Sequence, residues 1–105
     1  PALVEAMSET LAQLLGWAAE ARIHMALNLA VTNGTDVVVS RCANTTPAPS
    51  LYYAKNTAFF PQAVVIASER LFAGPDWAAV PEGSIVACDA GLDLRFYDHR
   101  LGRAA

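Results

Sequence analysis

The stretch Leu27–Arg41, LNLAVTNGTDVVVSR, decides how this chain is read. Asn33-Gly34 is the strongest short hairpin signal a sequence can carry, and here it separates two runs rich in β-branched residues. One strand is expected over about Met25–Thr32 and its return over Asp36–Cys42. Leu27, Leu29 and Val31 then share one side, with Asn28, Ala30 and Thr32 on the other. On the return strand Val37 and Val39 oppose Val38 and Ser40. A hairpin with one wet face alternates apolar with charged residues. These two faces are nearly free of charge, so each needs a cover.

The same imbalance runs through the whole chain. Hydrophobic residues make up 54% of its 105 residues and charged residues 16%, against the roughly 25% charged of an ordinary soluble domain. The length fits a single domain, 1–105, with a modest core. No apolar run approaches the roughly 20 residues of a membrane-spanning helix. No basic segment followed by an apolar core marks a signal peptide, so none is expected. A net charge of −3, with seven scattered basic residues, argues against a nucleic-acid partner. Cys42 and Cys88 are expected as buried free thiols at strand ends, which fits a reducing, cytoplasmic location. Asn33-Gly34-Thr35 and Asn44-Thr45-Thr46 match the glycosylation sequon but read as turn and loop residues.

Working outward from the hairpin, the first twenty residues carry a helical stripe of Leu3, Met7, Leu11, Leu14, Leu15 and Ala18, with Glu5, Glu9, Gln13 and Glu20 off it. Pro1 suits a first helical turn. After the hairpin, ANTTPAPS (43–50) is a loop, and Leu51–Ala54 is a short strand. In AVVIASERL (63–71), the span Ala63–Ala67 has no polar side chain and reads as a strand buried on both faces. FAGPDWAAVPEG reads as a loop anchored by Trp77 and Val80. Ser84–Asp89 and Leu92–Tyr97 form two further strands around an Ala90-Gly91 turn, and the polar tail DHRLGRAA is expected to fray. The fold class is therefore α+β: one helix and about six mostly antiparallel strands. A single sheet with one helix layer leaves its other apolar face bare. The covering sheet is expected to lie outside this chain.

Chemistry-bearing residues are sparse. His24 and His99 flank strands without a recognisable constellation, and no His, Cys, Asp or Glu pair has metal-ligand spacing. No glycine-rich phosphate loop is present, and no cofactor is expected. Pro1 could act as a base only if its amine were buried; at a helix start it reads as a cleavage boundary or a chosen end. Ser68-Glu69-Arg70, the polar break after the apolar run, is the candidate substrate-binding pocket wall, against the simpler reading of a strand exit whose charges reach water.

Taken in order, LNLAVTNGTDVVVSRC, PAPSLYYA, AVVIASERL and PDWAAVPEGSIVACDA resemble the C-terminal half of class II glutamine amidotransferase domains. The nearest likeness is to the amidohydrolase branch of ergothioneine-pathway γ-glutamyl hydrolases and the fungal glutathione-degrading subunit. The four blocks span residues 25 to 90, and the preceding helix fits as well. The resemblance implies an N-terminal-nucleophile hydrolase fold, an αββα sandwich of two antiparallel sheets between helices. It also implies an N-terminal cysteine nucleophile with its own α-amine as base, attacking the γ-carboxamide of glutamine or a γ-glutamyl group. An Asn-Gly pair would supply oxyanion donors, and an arginine and an acidic residue would hold the substrate's α-groups.

Those parts belong to the family's N-terminal half. This sequence starts with Pro1, and Asn33-Gly34 stands in the hairpin turn rather than in the family's earlier loop. No catalytic residue of the family maps onto it. The chain is therefore expected to be a fragment, a subunit paired with a second polypeptide bearing the cysteine, or a degenerate homologue, inactive alone toward a small γ-glutamyl substrate. The alternative is a non-catalytic α+β module that forms a homodimer through the apolar sheet face.

Overall fold

A computed structural model describes residues 2–100 of the chain. Pro1 and residues 101–105 lie outside the described residues, and with them the expectations about the Pro1 amine and the end of the tail. The elements in chain order are α1 (Ala2–Ala21), β1 (Ala26–Leu27), β2 (Ala30–Thr32), β3 (Val37–Ala43), β4 (Tyr52–Lys55), β5 (Val64–Ala67), β6 (Ala78–Ala79), β7 (Ser84–Cys88) and β8 (Leu94–Asp98).

The helix forms where its stripe required. Val4, Met7, Leu11 and Ala18 are buried, and Leu3, Leu14 and Leu15 flank them half-buried. Its C-terminus closes as a Schellman motif. Ile23 N–H donates to Ala18 O at 3.0 Å and Arg22 N–H to Ala19 O at 3.2 Å, while Arg22 takes the left-handed conformation at φ 57°. The buried Ser8 hydroxyl donates to His99 O at 2.7 Å, tying the helix to the end of β8.

The larger sheet runs β1-β3-β7-β8, with β2 also on β3, and every pairing is antiparallel. The strand expected over Met25–Thr32 is split, although Leu27↔Cys42 and Ala30↔Val39 keep a single register. The cause is Ser40. Its hydroxyl accepts from Leu29 N–H at 3.1 Å and donates to Leu27 O at 2.7 Å, interrupting the ladder. The turn itself behaves as expected. Gly34 sits at φ 91°, and Asn33 Oδ1 accepts from Thr35 N–H at 3.0 Å and Asp36 N–H at 2.8 Å.

Alternation along β3 and β7 sends Val38, Cys42 and Ile85 toward α1 and Val39 and Val86 the other way. Val39 and Val86 meet Leu51, Val80, Tyr53 and Ile66, which belong to or adjoin a second, three-stranded sheet, β5-β4-β6. This corrects the expectation that the covering sheet lies outside the chain. Residues 52–79 supply it themselves, in strands of only four, four and two residues. The apolar face through which a homodimer was expected is thus largely occupied by the chain's own strands. A run as short as Ala78–Ala79 in a Pro- and Gly-rich segment carries no periodicity, so the loop reading missed it.

A second correction concerns β5, read as a strand buried on both faces. All four of its residues are half-buried, and it pairs on one side only, with β4. The fully apolar run belongs to a sheet edge. The most buried strand is β7, where four of five residues are buried. Val80 and Trp77 are buried anchors, as expected.

One cation joins the layers. Arg41, on the β3 face toward the smaller sheet, donates from Nη1 to Val80 O at 2.6 Å, from Nε to Pro49 O at 2.9 Å and from Nη2 to Ala48 O at 3.1 Å. The Glu82 carboxylate accepts from Ala48 N–H. Together these bonds hold the proline-rich loop between β3 and β4 against the segment that leads into β7. The result is a three-layer α+β arrangement: helix, larger sheet, smaller sheet.

Candidate functional site

The two sheets do not close completely. At the end of the larger sheet that carries the 33–36 and 89–93 turns, a void of about 360 Å³ opens between them. Val37 and Val39 of β3 form one wall and Val64 and Ile66 of β5 the other. The polar groups at its rim are Thr35, Cys88 and Asp89. Register explains how they meet: Val37 pairs with Cys88, so the two turns stand side by side.

The 89–93 turn is tightly built. Asp89 Oδ1 accepts from Gly91 N–H at 2.9 Å and Asp93 N–H at 3.0 Å, and Asp89 N–H donates to Asp93 O at 3.1 Å. Leu92 is held in the left-handed region at φ 64° with its side chain on the void. Such a conformation costs a bulky residue on the order of 1–3 kcal/mol.

A smaller void, about 200 Å³, lies on the helix side of the same sheet end. Asp36, Asp93, Arg95 and Tyr97 border it, together with Leu3 of the helix. Cys88 and Asp89 border both voids. Burial pushes the Cys88 thiol up, and the negative charges of Asp89, Asp93 and Asp36 add to this against the opposing charge of Lys55. The Cys42 thiol, on the opposite face of the sheet, is also raised, mainly by burial. Both cysteines are free. As neutral thiols they are poor nucleophiles.

Ser68, Glu69 and Arg70 are all exposed and border neither void. Ser68 O accepts from Ser50 Oγ at 2.9 Å, and the Arg70 guanidinium lies 5.3 Å from the Tyr52 ring centroid. The sequence reading missed Thr35, Cys88, Asp89 and Leu92. Each looked like an ordinary turn or strand-end residue, and only the strand register gathers them.

His24 is exposed, and His99 stands at the far end of the β7–β8 ladder from Cys88, packed near Gly83. Burial lowers the His99 pKa. Among the described residues, no group of three or more His, Cys, Asp or Glu could hold a metal ion, and no helix is long and apolar enough to cross a membrane.

No protein-family model matches the chain, and no curated protein and no solved structure matches it either.

Proposed function

We propose that the chain is a scaffold portion of a class II glutamine amidotransferase-like hydrolase acting on glutamine or γ-glutamyl amides. The observation that carries this reading is the layer order. Two antiparallel sheets lie face to face with a helix outside the larger one, an order compatible with three of the four layers that an αββα sandwich would need. The nucleophile comes from another polypeptide segment, a cysteine whose free α-amine serves as base. Cys42 and Cys88 are internal strand residues with raised thiol pKa values and do not fill that role. Free thiols support a cytoplasmic setting.

The test pairs a γ-glutamyl amide hydrolysis assay with intact-mass measurement of the protein from its natural source. The 105-residue chain alone should give no turnover, whereas a larger polypeptide or a complex led by an N-terminal cysteine should be active. Turnover by the chain alone well above blank would contradict the reading.

A second reading, a non-catalytic α+β module that self-associates, has one observation in its favour. Phe59 is 70% exposed and Leu71 58%, beside Phe60 and Phe72. The rings of Phe59, Phe60 and Phe72 form an aromatic patch on the segments that flank β5. Sedimentation decides: a dimer dispersed by Phe59→Ser supports this reading, and a monomer at all concentrations removes it.

A further inference from the structure

We propose that the void between the two sheets binds a small hydrophobic amine, with its apolar body between Val39 and Ile66 and its ammonium at the Asp89 end.

Size, lining and charge lead there independently of the γ-glutamyl reading. A volume of about 360 Å³ falls within the roughly 300–1,000 Å³ of small-ligand pockets. The walls are aliphatic: Val37 and Val39 on one sheet, Val64 and Ile66 on the other. They offer no partner to a carboxamide, whose burial without hydrogen bonds would be unfavourable. An aliphatic or aromatic body loses nothing there and gains from leaving water.

The rim has the opposite character. Asp89 lines the void, and Asp36 and Asp93 stand on the two adjoining turns, close enough for their charges to act on Cys88. Lys55 opposes their effect on Cys88. Among the residues that line the void Asp89 is the one charged group, so a cationic head is favoured over a neutral or anionic one. The Asp89 carboxylate is already fixed by the Gly91 and Asp93 amides, so little ordering is needed when a ligand arrives.

The test is a methyl-NMR titration of the full 105-residue chain with hexylammonium, hexanol and hexanoate. Hexylammonium should shift the Val39 and Ile66 methyl signals saturably, with an affinity at least tenfold above that of hexanoate. Asp89→Asn keeps the Oδ1 acceptor of the turn and should weaken hexylammonium at least fivefold while leaving hexanol unchanged. No saturable shift with hexylammonium, or equal affinity for hexylammonium and hexanoate, would overturn the proposal. If Asp89→Asn fails to fold, the comparison of the three ligands on the unaltered chain still decides. Because the readout is binding, it fails or succeeds separately from the hydrolysis assay.

Discussion

The Tyr53 ring of β4 lies against the Phe96 ring of β8, centroids 5.3 Å apart and planes inclined at 53°. The two residues belong to different sheets and sit 43 positions apart in the chain. Their contact is one of the bonds that make a sandwich of what would otherwise be two ribbons. A double-mutant cycle with Tyr53→Ala and Phe96→Ala should give a coupling of about 0.5–1.5 kcal/mol in urea unfolding, the range of tilted aromatic pairs. Strictly additive effects would mean the rings do not meet.

Arg41 should be the most sensitive charged residue. Arg41→Ala removes the donors of three carbonyls, on Ala48, Pro49 and Val80, and is expected to cost about 2–4 kcal/mol. Arg41→Lys should recover only part of that, since an ammonium cannot span the three acceptors as a planar fork does. The urea midpoint of each variant checks the order.

The helix end predicts a gain in stability. Arg22 occupies the left-handed C′ position of the Schellman motif, which glycine fills without steric cost. Arg22→Gly should stabilise the chain by about 0.5–1 kcal/mol, read as a higher melting temperature. A lower one would mean that the arginine side chain contributes more than its backbone costs.

Two groups near the end of β8 set the acid response. The Arg100 guanidinium and backbone N–H hold the Asp98 carboxyl well below the usual carboxylate range. Its contribution is present above the ordinary aspartate value of about 3.9 and is lost as pH falls through the depressed folded value. Burial favours neutral His99, with Asp98 opposing that shift and Arg100 adding to it. The unfolded chain therefore binds the imidazole proton more readily, and stability should fall as pH drops below about 6.5. His99→Gln should flatten the slope of urea midpoint against pH between about 5 and 7, and Asp98→Asn should change chiefly the limb below about 4. An unchanged slope in His99→Gln would remove His99 as its source.

The hairpin, the helix and the β7–β8 pair were legible because each has a local cause: Gly34 in a turn, a stripe at three- and four-residue spacing, and alternation around Ala90-Gly91. The smaller sheet was not. Its strands are too short for a period to show, and its pairing Tyr53↔Ile66 joins residues separated by a proline-containing connector. The apolar character of Val39 was read correctly as needing a cover, whereas Val37 stays 39% exposed, and composition cannot say whether a cover lies in the same chain. The cleft was illegible for a related reason. Thr35 and Cys88 become neighbours only through the register of β3 on β7.

The central claim is that this one chain covers β3 from both sides, with the helix on one face and residues 52–79 on the other, while β2 stays exposed. The most direct test is a ¹³C-edited NOE spectrum of the dilute 105-residue chain, confirmed monomeric by sedimentation. The account requires cross-peaks between the Tyr53 and Phe96 ring protons, and between Ile66 and Val39 methyl groups, that persist on dilution. Their absence, or their appearance only between differently labelled chains, would contradict it.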